Sequence, residues 1–115
     1  MHVRSLSVAS AVVALLASVP ANAQESVMSI NHVVTNNLPH HECMRRGSNA
    51  LAAARLEQFG TTSEAVWGRT YDRRYTVVVY CLTTRDVAVL AVTGFDRNVT
   101  HNLVEDLVGA WHRTR

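Results

Sequence analysis

The amino-terminal segment limits how much of this chain is left to fold. His2 and Arg4 precede an apolar run over residues 6–19 that only serines interrupt, and residues 21–23 read Ala-Asn-Ala. A short charged region, an apolar stretch and a small-x-small site are typical of a secretory signal peptide. The run is also shorter than the roughly 20 residues needed to cross a bilayer core. We therefore expect cleavage after Ala23.

Cleavage would remove 23 of 115 residues and leave 92, so residues 24–115 are predicted to form a single small domain. This part contains ten arginines, no lysine and nine carboxylates. Near-neutral charge argues against a nucleic-acid partner or an anionic membrane surface. A retained membrane anchor is the alternative, but no second apolar stretch of spanning length follows. The signal and the absence of lysine suggest a bacterial protein that is periplasmic or secreted.

Cys43 and Cys81 are the only cysteines in the sequence. An exported chain meets an oxidising compartment in which paired cysteines persist as disulfides. A redox pair is usually closer in sequence, as in Cys-x-x-Cys, and a zinc site would require two more ligands. We therefore predict a structural Cys43–Cys81 disulfide.

The periodicity of the chain predicts an α+β fold. Residues 27–34 alternate as a strand with one buried face, with Met28, Ile30, His32 and Val34 on its apolar side. Alanine-rich residues 41–58 predict a helix that stops at Gly60.

Three further segments, 65–71, 75–82 and 86–93, are rich in valine, tyrosine and threonine and predict an antiparallel meander. An apolar stripe from Val99 to Trp111, after the caps Asp96 and Asn98, predicts a terminal helix. The expected architecture is two helices packed on a mainly antiparallel four-stranded sheet.

This order of elements, with one cysteine at the start of the first helix and the other in the middle strand, resembles small bacterial exported proteins without an assigned activity. The resemblance implies the fold and the disulfide. It assigns no functional residue.

The densest polar cluster is His40, His41 and Glu42, with His32 upstream. Imidazole and carboxylate are ligands for borderline transition metals, so a metal-binding protein or a small enzyme using these residues is one hypothesis. Glu42 also has a simpler role, because a carboxylate in the first turn of a helix interacts favourably with the helix dipole.

No nucleophile elbow, phosphate-binding glycine loop or paired acid–base arrangement occurs in the sequence. The sequence therefore predicts a protein that is not an enzyme and needs no cofactor.

The meander predicts which side chains share a sheet face. If residues 83–85 form a tight hairpin, Leu82 pairs with Val87 and Cys81 with Ala88. The face that contains Cys81 must look toward Cys43 and the helices. The opposite face then carries an unexpectedly apolar set: Val78, Tyr80, Leu82, Val87, Val89 and Ala91.

An apolar outer face of this kind usually marks a binding surface. We expect a small exported binding or accessory protein whose sheet face meets a protein partner, a second subunit or an apolar ligand. A structural or self-associating exported protein is the remaining alternative.

Overall fold

The computed structural model describes residues 25–115, so the predicted signal peptide at 1–23 lies outside the described residues. Two helices and five strands follow one another in the order β1 (Val27–Val34), α1 (His40–Ala53), β2 (Glu57–Thr61), β3 (Ala65–Arg69), β4 (Thr76–Leu82), β5 (Val87–Gly94) and α2 (Arg97–Arg113). A single 3-10 turn, Thr83–Arg85, joins β4 to β5. The fold is α+β, as predicted.

The strands form one antiparallel sheet in the order β1-β5-β4-β3-β2. The prediction of four strands was wrong, because the first helix ends at Ala53, before the predicted end at residue 58, and residues 57–61 form an additional strand, β2. Helix α1 ends at Ala53, since Arg55 adopts a left-handed φ of 61°. There the Leu56 N–H donates to the Leu51 carbonyl at 2.9 Å, a Schellman-type end that starts the chain back toward the sheet.

Both helices pack on the same face of the sheet. Helix α1 lies over β2, β3 and β4 and helix α2 over β5 and β1. Helix α1 approaches closely because glycine occupies the contact on either side: a Cβ on Gly47 would lie 3.1 Å from Val79 Cγ1, and one on Gly68 3.0 Å from Leu51 Cδ1. The core between these layers contains Leu51, Leu90, Leu107 and Trp111.

Arg46 on α1 links this helix to α2 through hydrogen bonds. Its guanidinium donates through Nε and Nη2 to the Trp111 carbonyl at 3.0 and 2.9 Å, and it lies 4.7 Å from the Trp111 ring centroid. Partial burial lowers the pKa of Arg46, with a smaller contribution from Arg115. The contact satisfies a carbonyl in the last turn of α2, which a helix cannot pair internally.

Asp86 joins the end of β1 to the turn between β4 and β5. Its carboxylate accepts from the Thr35 hydroxyl at 2.6 Å and from the Asn37 N–H at 2.7 Å, and these bonds lower the pKa of Asp86. Asp86 has a φ of 57°, a left-handed conformation that aspartate and asparagine tolerate better than most residues. The edge strand is thereby anchored to the centre of the sheet.

The expected orientation of β1 was wrong. Ser29 and Asn31 face the helices, where Ser29 hydrogen-bonds to the buried Thr100 at 2.8 Å and Asn31 donates to Glu105 at 3.2 Å. The apolar residues Met28 and Ile30 point to the opposite side and are 59% and 62% exposed. Helix α2 offers hydroxyl and carboxylate partners to β1, so polar side chains of the strand can face the helix layer.

Candidate functional site

The disulfide identifies the helix-covered face of the sheet. Cys43 at the start of α1 is bonded to Cys81 in β4, with the two Cα atoms 6.1 Å apart, as predicted. Leu82 pairs with Val87, Cys81 with Ala88 and so on along the hairpin, in the predicted register. Side chains that share the parity of Cys81 are at most 2% exposed on β4 and β5: Val77, Val79, Cys81, Ala88, Leu90 and Val92.

The other side of the sheet is covered by neither helix, and we call it the open face. All six residues predicted for it lie there by register, three on β4 and three on β5. Its apolar members extend across four adjacent strands: Met28, Ile30 and Val34 on β1, Val87, Val89 and Ala91 on β5, Val78, Tyr80 and Leu82 on β4, and Trp67 on β3. With three polar residues that share this side by register, His32, Thr76 and Thr93, they form one mainly apolar surface.

Sequence reasoning missed the contributions of β1 and β3 to the open face. Ile30 pairs with Ala91, and Trp67 pairs with Val78, so a single cross-strand row runs from Ile30 to Trp67 through Ala91 and Val78. The period-two pattern of β1 was visible in the sequence, but which of its sides faced the helices was not. Trp67 could have been found by extending the parity of the β4–β5 hairpin to the next strand.

The polar groups at the margin of the open face are paired with one another. At one end the Tyr80 hydroxyl donates to the Glu64 carboxylate, and this hydrogen bond raises the pKa of Tyr80. At the other end Arg69 lies 3.4 Å from the Glu57 carboxylate and 5.0 Å from the Phe59 ring centroid. Arg69 and Glu57 therefore offset each other's charge at one end, whereas Glu64 keeps its negative charge at the other, because the tyrosine hydroxyl is neutral.

The structure gives His40, a predicted metal candidate, another role. Its Nε2 lies 2.7 Å from the Ser63 carbonyl and its Nδ1 lies 3.1 Å from the Thr83 hydroxyl. A carbonyl only accepts, so Nε2 donates to Ser63, and in the neutral imidazole Nδ1 is then the acceptor for the Thr83 hydroxyl. Both ring nitrogens are thus engaged in joining the start of α1 to two loops.

The other metal candidates do not converge on His40. His41 is exposed, with Nε2 3.6 Å from Glu42 Oε1. The Glu42 carboxylate accepts from Arg45 at 2.9 and 2.5 Å, and this interaction is the main cause of its lowered pKa. His32 lies on the open face, paired in register with Val89.

Among residues 25–115, no group of three or more histidine, cysteine, aspartate or glutamate side chains is arranged to hold a metal ion. No helix in that range is long and apolar enough to cross a membrane. Comparison of the chain with protein-family models, with curated proteins and with solved structures found no match. The open face is the surface feature of the described residues that most needs a functional explanation.

Proposed function

We propose that this protein is a small exported, non-catalytic binding domain that acts through the open face. The carrying observation is the mainly apolar surface on β1, β5, β4 and β3, on the side of the sheet opposite both helices. An antiparallel sheet with one layer of helices ordinarily places polar side chains on its outer face. Here that face has apolar side chains instead.

Burial of this surface supplies a driving force for association. Fully burying one large aliphatic side chain contributes about 1.5–3 kcal/mol. Ile30, Met28 and Val34 are each more than half exposed, so most of that contribution is still unused in the isolated chain. The open face therefore has the chemistry of a binding surface that needs no charged ligand.

Export to the periplasm or the medium is part of the same proposal. The signal-peptide pattern at residues 1–23 supports it, and so does the disulfide, which persists in oxidising compartments. In such a compartment the bond would hold α1 on the sheet while the opposite face remains available.

Methionine oxidation tests the proposal, because Met28 lies on the open face and Met44 lies on α1. In purified protein diluted until it is monomeric, hydrogen peroxide should oxidise the exposed Met28 readily. In a native extract of the exporting compartment, an occupant should slow Met28 oxidation several-fold and leave Met44 unchanged, as read by peptide mass spectrometry.

Two variants sharpen this measurement. Ile30→Asp should abolish the protection of Met28, because it places a charge on the same face. His101→Asp, on the exposed surface of α2, is the matched control and should leave the protection intact. Equal oxidation rates of Met28 in extract and in dilute solution would contradict the proposed function.

A further inference from the structure

Building on the proposed function, we propose that the occupant of the open face is a second copy of this chain, so that two sheets pack face to face as a two-layer sandwich. Aligned sheets pack about 10 Å apart with strand directions within about 30° of each other. Each copy then carries its helices on the outside. The assembly is a symmetric dimer in which both copies use the same surface.

The position of β4 favours self-association. It is the central strand of the five, with two strands on either side. In the four strands that carry the apolar surface, β5 and β4 are the two middle ones. A two-fold axis that lies midway between the two faces and passes near these strands therefore brings β4 and β5 of one copy against the same pair of strands in the other. Val78 lies near this axis and would approach its own counterpart.

The size of the face matches what a dimer needs. The four strands that carry the apolar surface, five to eight residues each, are spaced about 4.8 Å apart with a rise of about 3.4 Å per residue and give a flat outline of about 460 Å². Side-chain relief raises the accessible area above this outline. The result approaches the roughly 800 Å² that each partner contributes to a standard interface.

The charge pattern also fits an identical partner. Glu57 is paired with Arg69, whereas Glu64 keeps its negative charge, because the Tyr80 hydroxyl that donates to it is neutral. Glu64 is exposed at the margin, so the interface does not have to bury it. Two apolar surfaces whose charged groups lie at an exposed margin can meet without burying a lone charge, which would be costly. An anionic membrane surface would instead require basic side chains around the apolar patch.

Charge complementation at Val78 tests the dimer. The full 115-residue sequence, with a carboxy-terminal tag, is expressed with export so that the host performs any processing, and the intact mass of the product is recorded. Sedimentation of the wild type should show a dimer with a Kd on the order of micromolar or tighter. Val78→Glu and Val78→Lys should each weaken self-association at least tenfold, because like charges meet at the centre.

Mixing the two Val78 variants should restore a heterodimer, since the charges are then opposite. Val78 is half-buried in one copy, so the substitutions should leave the far-ultraviolet circular dichroism of the monomer unchanged. The same two substitutions at the exposed His101 on α2 are the controls and should leave the wild-type dimer unaltered.

A wild type that remains monomeric at 100 µM overturns the dimer. If Met28 is nevertheless protected in the native extract, a different protein occupies the face and the proposed function stands. If the purified product is a monomer that retains residues 1–23 and its Met28 resists oxidation until those residues are removed, the occupant is the chain's own amino-terminal segment. Failure to recover association on mixing the two variants also overturns the symmetric arrangement.

Discussion

Reduction of the Cys43–Cys81 disulfide should destabilise the domain by about 4 kcal/mol. The bond closes a loop across 38 positions of sequence. For a loop of that length, the loop-closure relation predicts that the bond lowers the conformational entropy of the unfolded chain by about 13 cal/mol/K. Such a loss is a large share of the 5–15 kcal/mol that stabilises a typical domain. The two cysteines are at most 2% exposed, so a reductant reaches them chiefly when the domain opens.

The assay is urea unfolding of oxidised and reduced protein, followed by circular dichroism. The midpoint should fall sharply on reduction, and the dependence of the unfolding free energy on urea should steepen, because the unfolded chain is no longer held compact. Cys43→Ala combined with Cys81→Ala is the control and should not respond to reductant. A loss below about 1 kcal/mol, against the roughly 4 kcal/mol of the loop-closure relation, would refute this reasoning.

Three further predictions concern the backbone and the charge of Asp86. Gly94→Ala should destabilise the domain by about 2 kcal/mol or more in urea unfolding, because the added Cβ would overlap the Tyr75 ring. Gly60→Ala is the control: its Cβ would meet no atom within 4 Å, so the substitution should leave the unfolding free energy nearly unchanged. Arg55→Gly should raise the unfolding free energy by up to about 1 kcal/mol, because glycine adopts the left-handed φ of this position without strain. An unfolding free energy equal to that of the wild type would show that Arg55 is not strained. The pKa of Asp86 is lowered by the hydroxyl and amide donors at the end of β1, so its stabilisation is present above its unfolded pKa and lost as pH falls through the folded value. Asp86→Asn should therefore flatten the decline of thermal stability in acid, and an unchanged acid profile would contradict this.

The disulfide and the parity of the central hairpin could both be predicted from the amino-acid sequence alone. Two cysteines in a chain predicted to be exported identified the pair, and a short connection between two valine-rich segments set the register from Leu82–Val87 onward. Side chains alternate strictly along a strand, so a single link between Cys43 and Cys81 was enough to sort both strands into two faces. The apolar character of the open face followed from that sorting.

Strand β2, which the sequence did not predict, depends on contacts with a neighbouring strand. Residues 57–61 show no clear alternation, and their register with β3 shifts between Gln58 and Gly60. Local propensity favoured continuing α1 through this segment, but Arg55 turns the chain and Leu56 joins the core. Residues 57–61 become a strand because they pair with β3, which follows them in sequence and supplies their backbone hydrogen-bond partners.

The orientation of β1 was also decided by tertiary contacts. Its period of two showed that the sides differ, and an apolar side is ordinarily the buried one. The strand instead turns Ser29 and Asn31 toward α2, where Thr100 and Glu105 supply hydrogen-bond partners. A strand's own sequence does not specify its neighbours, so only the packed structure shows that Ile30 belongs to the open face.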